Sequence, residues 1–280
     1  MQILMCGNDR VFRGMLLTAM SIVKHCKAAI DFYIGTMDLS DMDERYLPVT
    51  EEARAVLEEV LCEANPESRA HLVDFGESFR RELINSKNLA SSYTPYAMIR
   101  LFADELYERV GDKLLYFDTD VMAKGDISEL YSTDIDGYHL AGSYDYFGKL
   151  FCIFVSRKYL NSGVFLFNMK RMVEDEVFRK CRTLCNDKKM LLFDQSALNK
   201  YAKRKKTLPR RFNEQRKTRR NTVVRHFAMT ILWLPYFRTR NIKPWDREQM
   251  HGVLKEYDFD DIYKKYDEIK EVKNNPLLKM

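Results

Sequence analysis

The first 35 residues contain a strand, a loop, a helix and a second strand, in the order that opens a parallel β-sheet. Residues 2–6 (QILMC) form a short apolar strand that ends at the polar loop GND, residues 7–9. Apolar residues then recur at spacings of one, three and four over residues 15–23, which predicts an amphipathic helix. Residues 30–35 (IDFYIG) read as the second strand. This order predicts an α/β fold that binds its ligand at the carboxyl ends of the strands.

A later apolar strand carries the strongest chemical signal. Residues 113–117 (KLLYF) are typical of a buried strand, and they stop at Asp118-Thr119-Asp120. Two carboxylates two residues apart can direct oxygens at one hard cation, which in turn bridges the oxygens of a pyrophosphate. The D-x-D pattern also occurs at 134–136 and 258–260, so the pattern alone is weak. Its position after an apolar strand is what predicts a metal site here.

The rest of the chain alternates between helical and strand patterns. Thr94-Pro95 is a good helix start, with the hydroxyl as N-cap, and this helix is expected to run to about Arg109. Further helices are predicted over 51–64, 175–185 and 195–203, and further strands over 71–75, 139–143, 159–169 and 222–227. Apolar residues from Phe259 to Val272 share one helical face. We predict a main domain over residues 1–245 and a C-terminal helical tail over 246–280 that packs on it.

Composition and termini bear on the compartment. A chain of 280 residues with 46% hydrophobic residues suits one domain with a sizeable core. No stretch approaches the roughly 18 consecutive apolar residues of a membrane span, and the N-terminus turns polar too early for a signal peptide. The six cysteines form no C-x-x-C pair, and Cys181 and Cys185 lie one helical turn apart, which favours core packing. We expect reduced thiols and a cytoplasmic location.

One segment is strongly basic. Residues 203–220 (KRKKTLPRRFNEQRKTRR) hold ten Lys and Arg against one Glu. Such a patch attracts phosphates in nucleic acid, anionic lipid or an acidic polymer. The simpler alternative, which we favour, is a solvated strand-and-loop edge. Because regular aromatic residues are missing, a stacking surface for nucleic acid is not indicated, while peripheral contact with the inner face of an anionic membrane stays open.

Several motifs follow one another in an order that resembles a known family. Residues 114–134 (LLYFDTDVMAKGDISELYSTD) resemble the metal-binding segment of the retaining glycosyltransferases of family 8, which include glycogenin and bacterial lipopolysaccharide galactosyl- and glucosyltransferases. The other matching segments are Tyr96-Ala97 through Arg100-Leu101, Asn161-Ser162-Gly163-Val164, Asp194-Gln195 with Leu198-Asn199, the expected strand Arg211-Phe212-Asn213, His226-Phe227, and Lys243-Pro244-Trp245. The ordered set spans residues 2 to about 245 and is far more specific than any single motif.

The resemblance implies both a fold and an activity. The fold would be GT-A, the nucleotide-diphospho-sugar transferase fold, with a Rossmann-like mixed central sheet flanked by helices. The activity would be retaining transfer of a hexose, glucose or galactose, from a UDP-sugar to a glycan, a lipid-linked saccharide or another hydroxyl acceptor. The cofactor would be Mn²⁺, since an imidazole beside carboxylates suits manganese better than magnesium, with Mg²⁺ as the alternative.

The resemblance also implies roles for individual residues. The expected metal ligands are Asp118, Asp120 and His226. The expected donor-binding residues are Cys6, Gly7, Asn8, Asp9, Arg100, Asp118, Thr119, Asp120, Asn161, Ser162 and Lys243. Gln195 would lie beneath the anomeric carbon, where its amide oxygen supports a developing oxocarbenium ion. Asp194 would hold the donor sugar, and whether it instead forms a covalent intermediate is left open. Asp145 would face the acceptor.

The spacing between His226 and Lys243 departs from the family pattern. These residues are 17 positions apart instead of about six, and the intervening glycine is missing. We interpret residues 228–242 as a loop insertion that forms a lid or an acceptor wall. The candidate sugar-stacking groups in it are Trp233, Tyr236 and Phe237.

Two other functions fit the same sequence. A nucleotide-sugar hydrolase would use water in place of the acceptor. A catalytically silent transferase fold could instead bind anionic partners through its basic surface. The intact Asp118, Asp120 and His226 argue against the silent fold, which has no need of three metal ligands.

Overall fold

The computed structural model describes residues 1–89, 94–146, 156–232 and 238–273 of the chain. The strands in these ranges are β1 (Gln2–Cys6), β2 (Asp31–Thr36), β3 (Arg69–Asp74), β4 (Lys113–Phe117), β5 (Val121–Ala123), β6 (Leu140–Tyr144), β7 (Leu160–Asn168), β8 (Lys205–Thr207), β9 (Val224–His226), β10 (Thr230–Leu232) and β11 (Arg238–Arg240). The candidate sugar-stacking residues Trp233, Tyr236 and Phe237 lie outside the described residues.

Helices connect most of these strands. The α-helices in the described ranges are α1 (Phe12–His25), α2 (Glu51–Ala64), α3 (Gly76–Leu83), α4 (Tyr107–Val110), α5 (Ser128–Tyr131), α6 (Met169–Glu174), α7 (Val177–Asp187), α8 (Phe193–Tyr201), α9 (Arg247–Gln249) and α10 (Asp260–Lys273). Short 3-10 or π-helical segments cover Asp9–Val11, Pro95–Leu106, Arg210–Phe212 and Met250–Leu254. α2 has the bounds that its sequence predicts.

Seven of the strands form one mixed sheet in the spatial order β3-β2-β1-β4-β7-β6-β8. β3, β2, β1 and β4 are parallel neighbours, whereas β7 runs antiparallel to both β4 and β6. β8 is parallel to β6 at the far side of the sheet. The opening strand–loop–helix–strand segment therefore builds parallel neighbours, and the α/β prediction with a mixed central sheet is confirmed.

The central strands are buried on both faces. Ile3 and Met5 of β1 belong to one hydrophobic core, whereas Leu4 and Cys6 belong to a second core. Successive side chains of a strand point to opposite faces, so a strand that is apolar at every position needs cover on both sides. β4 alternates between the two cores in the same way. This double burial fixes the register of the strands and therefore the position of the residues at their ends.

The parallel strands β1, β4, β6 and β8 end at one side of the sheet, here called the carboxyl edge. Because β7 is antiparallel, its first residues lie at this same edge, where Leu160 is opposite Tyr144 of β6. The segments at the carboxyl edge therefore follow the spatial order β1, β4, β7, β6 and β8. Polar groups that are far apart in sequence lie side by side here, where open α/β sheets bind ligands.

The helix predicted from Pro95 to about Arg109 has those bounds, as a 3-10 helix that leads into α4, but the predicted cap by the Thr94 hydroxyl is wrong. The amide of Ala97 instead donates to the backbone oxygen of Thr94, at 3.1 Å. The strand expected at residues 211–213 is replaced by a 3-10 turn that begins after Pro209. Proline fixes φ and has no amide hydrogen for a strand ladder, which favours a turn at this point.

The C-terminal helix packs on the sheet domain, as its apolar face predicts. Phe259, Ile262 and Tyr263 are buried in the same core as the apolar residues of α1. The Tyr263 hydroxyl also donates to the backbone oxygen of Pro244, at 2.6 Å. A division of the chain after residue 245 stays a prediction. None of the helices in the described ranges combines the length and apolar character needed to cross a bilayer.

Cys181 and Cys185 are free thiols buried in the core, as their spacing predicts. The first part of the basic run forms β8 at one side of the sheet, and several of its cations already have partners. Arg204 lies 2.7 Å from Asp175, and Lys205 donates to the backbone oxygen of Asn199 at 2.6 Å. Burial lowers the pKa of Lys205 to about 8. This half of the run is a strand edge, the simpler of the two alternatives.

Candidate active site

Two aspartates and a histidine meet at the carboxyl edge because of a small second sheet. Asp118 and Asp120 follow β4, and β5 begins directly after them. β5 pairs antiparallel with β9, which places Val121 opposite His226. The Phe227 amide also donates to the Asp120 backbone oxygen at 2.9 Å. These backbone bonds bring His226 to the carboxylates across more than one hundred residues of chain.

The three side chains form a compact ligand set. One ligand atom from each of Asp118, Asp120 and His226 lies within 4.8 Å of the others. His226 Nε2 lies 3.2 Å from Asp120 Oδ1 and 3.9 Å from Asp118 Oδ2. Asp120 Oδ1 is buried and accepts no hydrogen bond. A buried carboxylate oxygen without a donor is costly, and a cation would satisfy it.

Lys243 also reaches this cluster, although its spacing from His226 departs from the family pattern. Its ammonium contacts Asp120 Oδ2. The extra residues before it include the antiparallel hairpin strands β10 and β11. Burial opposes ionisation of Asp120, but its charged surroundings, with the Lys243 ammonium foremost, hold the pKa of Asp120 well below its usual range. Asp120 is therefore an anion, as a metal ligand must be.

A relay of side-chain amides determines how His226 is oriented. Asn161 Nδ2 donates to Asp145 Oδ2 at 2.9 Å, so Asn161 Oδ1 is an acceptor. It accepts from the Gly163 amide at 3.0 Å and from Asn213 Nδ2 at 2.9 Å. Asn213 Oδ1 is then the acceptor that faces His226 Nδ1 at 3.2 Å. We call Asp145, Asn161, Asn213 and His226 the amide relay.

The amide relay fixes the histidine tautomer. Because Asn213 Oδ1 can only accept, Nδ1 of His226 carries the hydrogen, and the lone pair of Nε2 points at the two aspartates. Two acceptors 3.2 Å apart, Nε2 and Asp120 Oδ1, repel each other unless a cation or a proton lies between them. Metal-ligating histidines usually donate their other ring hydrogen to a fixed acceptor, as His226 does. The three residues thus fit a divalent cation.

Gln195 is held by groups that leave it one orientation. Its Oε1 accepts from the Ser162 amide at 2.8 Å, and its Nε2 donates to Asp145 Oδ2 at 2.9 Å. A backbone amide cannot accept and a carboxylate cannot donate, so the side-chain amide cannot be reversed. The Gln195 oxygen therefore faces the first residues of β7, and Asp145 joins Gln195 to the amide relay.

Arg100 links the metal cluster to Asp194. It is buried on its 3-10 helix, with Nη2 2.7 Å from Asp118 Oδ1 and Nη1 donating to the Ser162 backbone oxygen at 3.1 Å. Its guanidinium also lies over the Tyr116 ring, 4.4 Å from the centroid. Burial would lower the pKa of Arg100, but Asp118 and other neighbours raise it, so the side chain is a permanent cation. Arg100 is therefore not a surface ion-pair residue.

Asp194 carries a second buried oxygen without a hydrogen bond. Arg100 Nε lies 3.2 Å from Asp194 Oδ2, but its hydrogen is donated to the Ala97 backbone oxygen at 3.1 Å. Asp194 Oδ2 is therefore left without a donor. Burial raises the pKa of Asp194, partly offset by Arg100. A hydroxyl group of a bound sugar is the kind of donor this oxygen lacks.

The loop after β1 lies beside the D-x-D segment. A methyl group on Gly7 would overlap Val11 and touch the Thr119 side chain, so glycine allows this close approach. Cys6 is buried, which raises its pKa to about 12 and leaves it a neutral thiol. Asn8 donates to the Arg45 backbone oxygen at 3.1 Å. Asp9 is partly exposed at the start of a 3-10 turn.

Two residues that contact the metal cluster are not predicted from the sequence alone. Asn213, which orients His226, is only part of the RFN motif there. Tyr116 donates its hydroxyl to Asp118 Oδ1 at 2.9 Å. The sequence signal for Asn213 is its place in the ordered set of family motifs. No local pattern marks Tyr116, which reads as an ordinary core aromatic.

Comparison with known proteins identifies a matching family. The model of the family described as glycosyl transferase family 8 matches residues 2–249. A putative glycosyltransferase of Haemophilus influenzae is 25% identical over 220 residues, which cover 74% of this chain and 61% of the relative. The chain therefore spans about three fifths of that relative's length.

Solved structures resemble the whole fold. An active-site mutant of LgtC gives a TM-score of 0.69 at 19% identity and covers 95% of this chain and 96% of its own. The galactosyltransferase LgtC in complex with donor and acceptor sugar analogues gives 0.67 at 20% identity, with 94% of both chains covered. These likenesses confirm the predicted GT-A fold.

Gly163 leaves space that His226 needs. A methyl group at this position would overlap the imidazole ring, while the backbone itself would tolerate alanine. We predict that Gly163→Ala displaces His226 and weakens Mn²⁺ binding by about tenfold or more, as loss of an orienting contact does. Isothermal titration with Mn²⁺ measures the change. Gly252→Ala, where a methyl group meets nothing within 4 Å, is the control. Equal affinities in the two variants would refute the steric argument.

The amide relay makes a separate prediction. Asn213→Ala removes the acceptor for His226 Nδ1 but changes little volume. We expect Mn²⁺ affinity to fall by about 10- to 100-fold, because the imidazole loses its fixed tautomer. The exposed Asn221→Ala provides the control. Unchanged Mn²⁺ affinity in a folded Asn213→Ala protein would show that the relay does not orient the ligand.

Proposed function

The chain belongs to glycosyl transferase family 8, and on that premise we propose that it transfers a hexose from a UDP-sugar to a saccharide hydroxyl with retention of configuration. The observation that carries the proposal is the cluster of Asp118, Asp120 and His226 beside Lys243. Two carboxylates and an imidazole within 4.8 Å of one another suit Mn²⁺. Glucose and galactose are the expected sugars, by resemblance to the family.

The order of groups along the carboxyl edge suggests how the donor lies. The loop of residues 6–9 follows β1, and we propose that it surrounds the base and ribose. The metal cluster follows β4, where the diphosphate would lie. Asp118, Asp120 and His226 would hold a divalent cation there, which would supply positive charge against the charge of the leaving nucleotide diphosphate. Lys243, which contacts Asp120 Oδ2, would add a hydrogen bond to the same phosphates.

The sugar would then lie over the start of β7 and of α8. Asn161 and Ser162 line this region, and Asp194 Oδ2 is buried there without a donor. We infer that a sugar hydroxyl donates to Asp194 and that Arg100 keeps this carboxylate in place. This pairing supports a binding role for Asp194 in preference to a covalent one.

Retention through a covalent intermediate would need a good nucleophile beneath the anomeric carbon, which Gln195 is not. Its oxygen is a neutral amide acceptor that can stabilise positive charge at the anomeric carbon but is a poor nucleophile. We propose that the bond from the anomeric carbon to the diphosphate breaks while the acceptor oxygen bonds to the same face. The acceptor proton passes to the departing phosphate oxygen. Asp145, bonded to both Gln195 and Asn161, would face the acceptor.

A nucleotide-sugar hydrolase remains the second candidate, because water could enter the same site. Asp145 is buried between Tyr144 and Tyr146 in the sequence, and these neighbouring aromatic side chains favour a saccharide acceptor. Product analysis with and without added saccharides separates the two activities.

The metal assignment predicts the outcome of a donor screen. With Mn²⁺ and a panel of nucleotide sugars, release of UDP is measured for the wild-type protein and for Asp120→Ala. We expect the variant to lose at least about 100-fold in turnover while its melting temperature shows that it is folded. The control is Asp136→Ala, from the exposed D-x-D pair at 134–136. Normal activity of Asp120→Ala would remove the basis of the proposal.

From the position of Lys243, we predict that replacing it has opposite effects on Mn²⁺ affinity and on turnover. Its ammonium lies against a metal ligand, so it repels a divalent cation. We expect Lys243→Met to bind Mn²⁺ more tightly without nucleotide, by about tenfold, and yet to turn over UDP-sugar more slowly. The exposed Lys170→Met serves as the control. Parallel loss of metal affinity and turnover would contradict the separate roles.

A further inference from the structure

The last five residues of the basic run have no part in the site described so far. Residues 216–220 (RKTRR), here called the basic loop, carry four cations within five positions. Arg216, Lys217 and Arg220 are exposed and form no ion pair with a carboxylate among the described residues. Arg219 lies 3.3 Å from the buried Glu214, which also pairs with Arg210. The Glu214 carboxylate therefore pairs with two cations, Arg210 and Arg219. The charges of Arg216, Lys217 and Arg220 have no such partner among the described residues.

The basic loop lies at a defined end of the site. Along the carboxyl edge, the β1 loop comes first, then the metal cluster after β4, then the start of β7, and then the end of β6. After β8 the chain turns back to β9, where Glu214 lies beside Arg225, and Arg216 then contacts Tyr146 just beyond the end of β6. If the donor runs from the β1 loop across the metal to β7, the next group along the edge is the acceptor. The basic loop is on that acceptor side.

Gln215 attaches the loop to the strand end that carries Asp145. Its Oε1 accepts from the Tyr146 amide at 2.9 Å, and its Nε2 donates to the Tyr144 backbone oxygen at 3.0 Å. These bonds bracket Asp145 on both sides. Tyr144 is itself 44% exposed, as an aromatic residue at a saccharide site would be. The basic loop is therefore held in one unit with Asp145, the proposed acceptor-facing carboxylate.

Arg216 is positioned by an aromatic side chain. Its guanidinium lies 4.6 Å from the Tyr146 ring centroid, and Nη1 donates to the Tyr146 hydroxyl at 2.6 Å. Arg210 lies over the same ring at 5.3 Å. A guanidinium held in this way keeps its other N–H groups free for a second partner, and its planar fork matches phosphate and carboxylate oxygens.

We propose that the acceptor is a saccharide that carries a phosphate group, bound by Arg216 with help from Lys217 and Arg220 while the reacting hydroxyl lies beside Asp145. The proposal rests on the transferase function given above. Three uncompensated cations suit the double charge of a phosphate monoester better than the single charge of a carboxylate. The positive charge of the basic loop then helps to determine which acceptor the protein binds.

Binding is tested with the donor site already filled. The protein is saturated with UDP and Mn²⁺, so that an added anion cannot occupy the diphosphate position, and is then titrated calorimetrically with glucose, glucose 6-phosphate, galactose, galactose 6-phosphate and glucuronate. We expect the phosphorylated sugars to bind at least about tenfold more tightly than their neutral forms, with glucuronate between them. Arg216→Gln should reduce this preference by about tenfold.

A matched variant controls for net charge. Arg109→Gln removes the same charge from an exposed residue of α4, which precedes β4 and so lies at the opposite edge of the sheet. It should leave the preference for phosphorylated sugars intact. Equal affinity for neutral and phosphorylated sugars, or no detectable binding of either, overturns the inference while leaving the transferase function in place. Failure of the wild-type protein to bind UDP with Mn²⁺ would remove both.

An anionic membrane is the competing partner for the same cations. Vesicles of phosphatidylglycerol and phosphatidylcholine are therefore tested by co-sedimentation with the same variants. If Arg216→Gln loses vesicle binding but keeps its affinity for glucose 6-phosphate, the loop binds lipid and the acceptor inference is wrong. If it loses the sugar phosphate and vesicle binding does not depend on Arg216, the inference stands.

Discussion

The site depends on one physical constraint, the direction of the hydrogen bonds in the amide relay. A carboxylate can only accept and a backbone amide can only donate, so Asp145 at one end and Gly163 in the middle leave each asparagine a single orientation. The relay ends at His226, whose Nε2 lone pair must then face Asp118 and Asp120. The same Asp145 orients Gln195. Metal cluster and sugar pocket are therefore ordered by one network.

The fold places these groups through backbone pairing. Double burial of β1 and β4 fixes where the strands end, and the β5–β9 pair brings His226 to the end of β4. Glycine at position 163 gives the imidazole its space. Buried polar groups are costly unless each has a partner. Among the described residues, two buried carboxylate oxygens lack hydrogen bonds, one on Asp120 and one on Asp194, and they mark where a cation and a sugar hydroxyl would complete the site.

Sequence reasoning predicted the fold class and the strand ends and named the three side chains that the structure brings together, because apolar strands, a D-x-D pair and an ordered set of motifs are local patterns. It could not show that β5 pairs with β9, since three-residue strands carry almost no periodicity. It showed the irregular spacing between His226 and Lys243 but not its cause, which is that β10 and β11 add residues to the chain while Lys243 still contacts Asp120. It expected a strand at Asn213, where Pro209 imposes a turn, and so gave that residue no role.

The central claim is that His226 Nε2 and the two aspartates bind one divalent ion. Pulsed electron paramagnetic resonance on the complex with Mn²⁺ and UDP measures this directly, because a coordinated imidazole nitrogen modulates the Mn²⁺ spin echo. The account predicts a ¹⁴N coupling from one histidine, absent in His226→Gln. Mn²⁺ bound with no nitrogen coupling, or with a coupling that survives in His226→Gln, would contradict it.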